Sequence, residues 1–403
     1  MLPNDESPPV FDGDFSTMWS LAQRPPIWHL TWDWWWWLVM LEDPNGAPSG
    51  RQLMVLWSTK DNDMVDVNGT QWEPQGRPGK DEHGALALDG MVCAWWFDGK
   101  HMHEPYVKQI CKMIAMDDTH PSWPEAKEIG KGGGAVVPLL DEDLSMGLAS
   151  DLSKFWLRLK GDDAAVQGGA PSEMDLTITP WNPPMSVARP STATYAANMG
   201  YDILRVHGTQ VTGTMDGESI KGTGYFQKVC VQAPSPPWYW GVLHFEDGSY
   251  MDWFLPHLSP TMTSRNPRPW KKRDIQHIAL SQGGLFHDAK NHRSERFARV
   301  EVSKQPSAML EGPSGQSPGA PLPVFSVKMW NGRTQIELVV QAVERAHWHF
   351  DQPTRGGLWS HLTYNEYPLE LKSLKITDEF GVRRREDYGW VRGNAEHAWG
   401  MLH

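Results

Sequence analysis

The clearest hydrophobic pattern lies between residues 28 and 40, where six of thirteen residues are tryptophan and one carboxylate, Asp33, interrupts the run. Tryptophan, threonine and valine favour strands, so this stretch predicts a β-strand. Successive side chains of a strand point to opposite faces. Trp34 and Trp36 are therefore predicted on one face, and Asp33 and Trp35 on the other. We expect one aromatic face to pack on a core and the other to line an apolar cavity.

Short apolar runs of the same kind recur along the chain and are separated by turn residues. An Asp-Pro-Asn-Gly turn at 43–46 leads to a second predicted strand at 51–57. A Glu-Asp-Gly-Ser turn joins predicted strands at 238–245 and 250–255 into a hairpin. Few segments show helical periodicity, so the pattern predicts an all-β sandwich or barrel class.

A cluster of prolines divides the pattern at residues 233–237, Ala-Pro-Ser-Pro-Pro. Prolines at this density do not occur in a central strand. We therefore predict an N-terminal domain of residues 1–233 and a C-terminal domain of residues 234–403.

Composition adds a reason to expect a cavity. The 403 residues include 23 tryptophans against 12 phenylalanines and 9 tyrosines. A large apolar pocket with indole N–H groups in its wall explains this excess, and a tryptophan-packed β core explains it too. The two explanations are compatible, because a pocket needs a packed wall.

Net charge, cysteine content and the length of apolar runs limit the partners and the cellular compartment that we expect. The net charge of -12 argues against sequence-independent nucleic-acid binding. Three cysteines are too few for a disulfide framework, so we expect a reducing, cytoplasmic compartment. No run reaches the ~18–20 apolar residues of a transmembrane helix. A soluble protein is predicted, with peripheral contact with a membrane left open, and the oligomeric state is not determined by the sequence.

Three segments in order resemble a known family. Residues 33–36 (Asp-Trp-Trp-Trp), ahead of the Asp-Pro-Asn-Gly turn, are similar to its Glu-Trp-Trp-Tyr strand. Residues 222–230 (Gly-Thr-Gly-Tyr-Phe-Gln-Lys-Val-Cys) are similar to its Gly-Thr-Ala-Trp and Asp-His-x-Trp strand, and residues 238–240 (Trp-Tyr-Trp) to its Trp-x-Trp hairpin. The family is the two-domain lipocalin-like family of carotenoid 1,2-hydratase (hydroxyneurosporene synthase), whose architecture fungal decalin-forming Diels–Alderases share. The match spans roughly residues 28–255.

This resemblance implies two lipocalin-like β-barrel or sandwich domains packed side by side, with few short helices. It also implies a hydrophobic small-molecule substrate and no cofactor. The chain departs from the family at one point: Gln227 and Lys228 replace the Asp-His pair of the hydratases, and Cys230 replaces the tryptophan. A lysine does not simply take over the proton handling proposed for that histidine, so the resemblance leaves the reaction type open.

Four residues are the predicted catalytic groups. Lys228 in an apolar pocket would have a lowered pKa and act as a base, a Schiff-base nucleophile or a donor to a carbonyl. Asp33 is its natural partner if the strands are adjacent, and the alternative for Lys228 is a structural ion pair or a position at the rim. His244 is a predicted proton donor or acceptor, and Asp252 a general acid held protonated among aromatics. The alternative for both is a hydrogen-bonded structural role.

The substrate-binding prediction follows the aromatic residues of the same strands. Indole faces stabilise developing carbocation charge and fit a polyene by shape, and plain core packing is the alternative for each. In the strand that ends the first domain, the face of Phe226 and Lys228 is predicted to point into the cavity. The predicted substrate-binding residues are Trp34, Trp36, Tyr225, Phe226, Gln227, Trp238, Trp240 and Trp253.

Two His-x-His pairs resemble metal-ligand spacing. His101 and His103 form one pair, and His347 and His349 form the other. A cupin-type site would also need a glutamate shortly after the pair and a distant third histidine, and neither pair has that glutamate, so no metal site is predicted.

Together these patterns predict an enzyme that acts without a cofactor on a lipophilic polyene, terpenoid or polyketide. The reaction would be hydration, isomerisation or cyclisation by acid–base chemistry. One alternative is a pericyclase in which Lys228 polarises a carbonyl. The other is a non-catalytic carrier of a hydrophobic ligand. Glu396 and His397 form a further polar pair without a specific motif.

Overall fold

The computed structural model describes residues 30–60, 64–74, 79–116, 132–136, 144–149, 153–181, 191–194, 197, 199–263, 277–306, 322–354 and 356–403. Almost all regular structure in this part of the chain is β-strand. One helix, α1 (Asp163–Gln167), and two 3-10 turns, Pro260–Thr263 and Arg385–Asp387, are the exceptions. Within these ranges no helix is long and apolar enough to cross a membrane.

The strands run in chain order. The N-terminal half contains β1 (Thr31–Glu42), β2 (Pro48–Lys60), β3 (Val65–Val67), β4 (Thr70–Trp72), β5 (Gly79–Lys80), β6 (Leu86–Phe97), β7 (Met102–Met116), β8 (Gly132–Val136), β9 (Ser145–Ala149), β10 (Phe155–Lys160), β11 (Glu173–Pro180), β12 (Ser191–Thr194), β13 (Gly200–Met215) and β14 (Glu218–Gln232). The C-terminal half contains β15 (Trp238–Phe245), β16 (Tyr250–Leu258), β17 (Ile278–Ala279), β18 (Gly283–Asp288), β19 (Arg293–Phe297), β20 (Arg299–Pro306), β21 (Pro323–Trp330), β22 (Gln335–Ala342), β23 (Ala346–Pro353), β24 (Trp359–Asp378), β25 (Gly381–Arg384) and β26 (Val391–Met401).

These strands form two antiparallel sheets. The first has the order β11-β10-β9-β8-β7-β6-β2-β1-β14-β13-β12, and pairing of β11 with β13 closes it on itself. The second has the order β19-β18-β16-β15-β26-β24-β22-β21-β20. The predicted all-β class, with two curled sheets and few short helices, is confirmed.

The two sheets follow the two halves of the chain with one exception. The first sheet ends at Gln232 and the second begins at Trp238, on either side of the proline cluster. However, β3 and β4 belong to the N-terminal half but join the second sheet, where β3 pairs with β23 and β4 pairs with β3. A boundary between separately folding domains at residues 233 and 234 therefore stays a prediction.

The tryptophan strand β1 lies between β2 and β14 in the first sheet. Its alternating faces are both buried, as the sequence predicted. Trp35 and Trp37 pack in the core inside the first sheet. Trp32 and Trp36 pack in a separate core that also contains Trp240 of the second sheet. One strand thus contributes to the interior of its own sheet and to the contact between the sheets.

Polar contacts across that interface fix the two sheets together. The Arg392 guanidinium donates to the Met40 carbonyl at 3.1 Å. The Gln52 side-chain amide donates to the Gly393 carbonyl at 3.0 Å, and Asn394 donates to the Gln52 side chain at 3.0 Å. Buried polar groups that are satisfied in this way hold one relative arrangement of the sheets.

Candidate functional site

A cavity of about 410 Å³ lies between the two sheets. From the first sheet, Trp32, Trp34, Arg205 and Gln227 are among the residues that line it; from the second, the lining side chains are mainly apolar, and several are aromatic. The second-sheet residues that the site uses are Trp238, Trp240, Phe254, Phe350, Tyr364 and Glu396. A largely apolar concave site with a few polar groups is the usual form of a small-molecule site.

The aromatic wall is held by edge-to-face contacts. Trp32 meets Phe350 at a centroid distance of 5.1 Å and 67°, across the two sheets. Trp240 meets Trp36 at 5.2 Å and 82°, which places Trp36 directly behind the wall. Such pairs favour this geometry because the positive ring edge meets the negative ring face. The wall therefore consists of aromatic rings that pack against one another.

Two buried glutamates meet at one end of this wall. Glu366 on β24 and Glu396 on β26 are direct cross-strand partners. Their relative exposures are 0% and 4%, so neither carboxyl group has ready access to bulk water. Glu396 lines the cavity, and the hydroxyl of Tyr364, which also lines it, contacts both carboxyl groups.

Hydrogen bonds define the protonation of this pair. The Trp238 indole Nε1–H donates to Glu396 Oε2 at 2.6 Å. The Tyr364 hydroxyl lies 2.8 Å from Glu396 Oε1 and also contacts Glu366 Oε1. A phenol has one hydrogen and can donate to only one carboxyl oxygen at a time. The second contact is a hydrogen bond only if a carboxyl group donates, so the pair is satisfied when it holds one proton.

The electrostatics agree with a shared proton. Burial raises the pKa of Glu366, and the charge of Glu396 raises it further, well above its usual range. Burial also raises the pKa of Glu396, while hydrogen bonds with Trp238, Tyr364 and Glu366 and the charge of Arg205 offset part of the rise. Two such carboxyl groups titrate as a unit. The pair therefore keeps a proton to a higher pH than an isolated carboxyl group does, and Glu396 presents this pair to the cavity.

A second polar group enters the cavity from the first sheet. The Arg205 guanidinium lies 5.6 Å from the centre of the Phe254 ring, and its Nε is 3.9 Å from Asp252 Oδ2. His207 Nε2 is 2.9 Å from the same Asp252 oxygen. The Tyr225 hydroxyl donates to the Gln227 side-chain oxygen at 3.2 Å. Arg205 and Gln227 thus give the wall facing Glu396 its polar character.

Lys228 and Asp33 form a buried ion pair. This structural role is the alternative that the sequence left open to a catalytic lysine. The Lys228 ammonium lies 5.3 Å from the centre of the Trp35 ring. The predicted orientation is wrong, because the opposite face of β14, with Gln227 and Val229, lines the cavity. The position of the second sheet decides which face is used. Lys228 and Asp33 do not reach the cavity.

His244 is also away from the cavity and fully buried. Its Nε2–H donates to the His207 carbonyl at 2.6 Å, and its Nδ1 is 2.9 Å from the Thr223 hydroxyl. Burial lowers the pKa of His244 to about 3; the hydrogen bond to the His207 carbonyl opposes this shift, and the charges of Arg392 and His207 add to it. Both nitrogens are committed to hydrogen bonds, so this histidine holds the sheets together as a neutral ring.

Asp252 does not match its predicted role as a protonated acid. Burial alone would raise the pKa of its carboxyl group, but the charge and hydrogen bond of His207 and the charge of Arg205 lower it below the usual value. The carboxylate is ionised and acts as a counter-ion. It lies behind Arg205 and not among the lining side chains.

Of the predicted substrate-binding residues, four line the cavity: Trp34, Gln227, Trp238 and Trp240. The other four support it or lie elsewhere. Trp36 and Tyr225 pack behind Trp240 in the core between the sheets.

The substrate-binding prediction is also wrong for Phe226 and Trp253, because each of these side chains points into the interior of its own sheet. Phe226 packs on Trp37 and Phe155 inside the first sheet. Trp253 lies over Gly241 inside the second sheet, where a Cβ on that glycine would come within 2.1 Å of the indole.

Sequence reasoning missed Glu366, Tyr364 and Arg205, and noted Glu396 only as a polar residue. A signal was present in the segment Tyr364-Asn-Glu366, because residues i and i+2 of a strand share a face. The pairing of β24 with β26, which brings the two glutamates together, has no local sequence signature.

The two His-x-His pairs lie apart from the cavity. His103 Nε2 is 3.3 Å from Asp98 Oδ2, and His347 Nδ1 is 2.5 Å from Glu104 Oε1. Histidine, cysteine and carboxylate side chains of the described residues form no group of three suited to a metal ion.

Three solved structures are similar to nearly the whole chain. A putative AttH from Nitrosomonas europaea is 12% identical, over 97% of this chain and 99% of that chain, with a TM-score of 0.47. Kievitone hydratase from Nectria haematococca is 10% identical, over 91% and 88%, with a TM-score of 0.42. CghA is 10% identical, over 92% and 88%, with a TM-score of 0.44.

No protein-family model matches the chain, and no curated protein matches its sequence. The assignment of functional residues therefore rests on the geometry of the cavity.

Proposed function

We propose that this chain is an enzyme that transfers a proton to a carbon–carbon double bond of a lipophilic polyene, terpenoid or polyketide bound in the cavity. One observation carries the proposal: a buried carboxyl pair, Glu366 and Glu396, opens onto an aromatic cavity through Glu396. A carboxyl group that keeps its proton in an apolar site is suited to general acid catalysis.

The proposed step balances within the site. The protonated carboxyl of Glu396 adds its proton to one alkene carbon and leaves a carbocation on the other. The indole faces of Trp34, Trp238 and Trp240 stabilise that charge by cation–π attraction. Attack by water gives hydration, loss of a neighbouring proton gives isomerisation, and attack by a second double bond followed by proton loss gives cyclisation. In each case the carboxylate takes a proton back.

Arg205 and Gln227 have a positioning role in this scheme. Both line the wall that belongs to the first sheet, whereas Glu396 belongs to the second. A substrate oxygen or a water molecule held by Arg205 and Gln227 would lie across the cavity from the acid. This arrangement orients the substrate so that its double bond meets the carboxyl group.

The test is incubation with a panel of carotenoid, isoprenoid and polyketide precursors, followed by product analysis by mass spectrometry. We expect Glu396→Gln to lower turnover by about 10²–10⁴-fold, the range for a positioned acid or base. The matched control is Glu344→Gln, because burial also raises the pKa of Glu344, to about 7, but it does not line the cavity. Full turnover by Glu396→Gln would exclude the acid role, and absence of both binding and turnover across the panel would exclude the substrate class.

Two other functions make different predictions for the same variants. A pericyclase would need a donor to a substrate carbonyl, and Arg205, which lines the cavity, would fill the role predicted for Lys228. It would lose activity in Arg205→Met and keep it in Glu396→Gln. A carrier would bind unmodified ligand in both variants, and native mass spectrometry of the purified protein would detect that ligand at unchanged mass.

A further inference from the structure

Exposed apolar side chains are concentrated at one end of the second sheet. In the described part of the chain seven large apolar residues are exposed, and five of them lie in β16, in or just after β17, and in the hairpin that joins β23 to β24. We call these five residues the apolar rim: Leu258, Ile278, Leu280, Leu358 and Trp359. Single exposed apolar residues are ordinary, whereas a group of them marks a contact surface.

Strand pairing brings the two parts of the apolar rim to the same end of the sheet. β16, β15, β26 and β24 are consecutive and antiparallel. The end of β16 at Leu258 therefore lies on the same side as the end of β26 at Met401 and the start of β24 at Trp359. Leu258 pairs directly with Ile278 of β17.

The cavity opens at the apolar rim. Leu258 and Leu280 line the cavity and are also exposed, by 39% and 50%, so the cavity reaches the protein surface between them. Glu396 precedes Met401 on β26 and lies about 16 Å further in, at the usual rise of a β-strand. A lipophilic molecule that passes from the rim to Glu396 therefore stays in largely apolar surroundings.

The charges in the sequence beside the rim favour one kind of partner. Residues 258–263 and 277–282 contain no Asp, Glu, Lys or Arg, although these residue types make up 21% of the chain. Residues 264–276, which join the two segments and lie outside the described residues, contain five basic residues and one acidic residue. The net charge of -12 belongs to the whole chain, and its effect is screened beyond about 8 Å at physiological ionic strength. Basic residues beside exposed leucine, isoleucine and tryptophan are the combination that an anionic lipid surface attracts.

We propose that the apolar rim docks the protein on an anionic lipid bilayer and that the substrate enters the cavity from the lipid. The aliphatic side chains of the rim enter the boundary between headgroups and acyl chains, where tryptophan is also favoured. A lipophilic substrate is concentrated in the bilayer, so a cavity mouth held there takes it up without passage through water. The inference rests on the proposed function in one respect, the lipophilic nature of the substrate.

The test is flotation of the protein with lipid vesicles on a density gradient, without substrate. Vesicles of phosphatidylcholine alone are compared with vesicles of phosphatidylcholine and phosphatidylserine. We expect the protein to float with the second kind, and less of it to float with the first kind or at high salt, because charge contributes to the attraction. Glu396→Gln should float like the unaltered protein, so docking and the proposed acid role are tested separately.

Variants locate the contact. Ile278→Ser combined with Leu280→Ser removes two apolar side chains from the rim, and we expect partition onto the vesicles to fall by about tenfold or more. Leu358→Ser combined with Trp359→Ser changes the other part of the rim and serves as the second variant if the first does not fold.

The matched control combines Phe380→Ser with Val382→Ser. These two residues are 53% and 50% exposed, but they lie at the opposite end of β24 from the rim. We expect the control to float like the unaltered protein.

Three results would overturn the proposal. The first is the absence of flotation with both kinds of vesicle, which would favour a protein partner at the rim. The second is flotation that both rim variants leave within twofold of the unaltered protein, or that the control variant lowers equally. The third is a dimer in lipid-free solution that the rim variants dissociate, seen by sedimentation velocity, because the rim would then join two copies of the chain.

Discussion

Two pairs of buried charged residues bridge neighbouring strands in this molecule. One pair consists of opposite charges, and the other consists of like charges. Asp33 and Lys228 have opposite charges and neutralise each other inside the first sheet. Glu366 and Glu396 have the same charge and share a proton at the edge of the cavity. Opposite charges are satisfied by each other, whereas like charges leave a proton that can move.

The surroundings of the two pairs reinforce that difference. Lys228 lies over the Trp35 ring and has no route to the cavity. Glu396 receives hydrogen bonds from Trp238 and Tyr364, which both line the cavity with it. A buried charge is therefore an indicator of chemistry only when its partner and its access are known.

The largest predicted effect is on stability, at the first pair. Lys228→Met leaves Asp33 buried without its cation, and we expect the free energy of unfolding to fall by about 3–5 kcal/mol. Urea denaturation followed by tryptophan fluorescence measures the change. Adding Asp33→Asn to the same protein should recover most of the loss, because both charges are then gone.

The control for this variant is Lys328→Met, whose ion pair with Glu337 at 3.3 Å is more than half exposed on the lysine side. Removal of that exposed pair should change stability by less than about 1 kcal/mol. If Lys228→Met is stable but has no turnover, the comparison is reversed, because the chemistry would then belong to the pair of Asp33 and Lys228.

The next effect is on turnover, at the second pair. Glu366→Gln keeps a hydrogen bond to Tyr364 but no longer exchanges a proton with Glu396. We expect turnover to fall by about 10²-fold and the pH–rate profile to shift, because the remaining carboxyl then titrates alone. Steady-state rates between pH 5 and 9 test this. An unchanged profile would mean that Glu366 does not take part in the protonation of Glu396.

The same variant has a pH-dependent effect on stability. The pKa of Glu366 is raised above its value in the unfolded chain, so the folded state binds more protons than the unfolded state as pH rises above about 4.3. The contribution of Glu366 to the free energy of unfolding is therefore present at low pH and is lost as the pH rises. Between pH 5 and 8 the unaltered protein should therefore lose more of its unfolding free energy than Glu366→Gln does. Parallel curves of unfolding free energy against pH for the two proteins would contradict this assignment.

The first pair illustrates what the sequence predicts well. Alternation in the tryptophan run puts Asp33 and Trp35 on one face, and the structure agrees, with the Trp35 position opposite Lys228 in β14. The same alternation predicts the hairpin of β15 and β16, because both strands and their turn are local. Patterns with a period of two residues need only the neighbouring strand to be interpreted.

The second pair illustrates what the sequence does not predict. Glu366 and Glu396 are separated by the rest of β24, by β25 and by a 3-10 turn, and their register depends on the pairing of β24 with β26. The choice of the cavity-lining face of β14 depends on the position of the second sheet. Both faces of β1 are aromatic, so hydrophobicity alone does not distinguish the interior of the first sheet from the cavity.

The smallest expected effect is on turnover, and it concerns the aromatic wall of the cavity beside Glu396. Trp34 is only partly buried and lines the cavity, so it can be replaced without opening a core. Trp34→Leu removes one indole face, and we expect turnover to fall about threefold to fivefold, equivalent to roughly 0.5–1 kcal/mol of cation–π stabilisation. Trp34→Phe keeps an aromatic face and should retain most of the rate. Equal rates for the leucine and phenylalanine variants would show that the wall acts by shape, and would favour a reaction without a cationic intermediate.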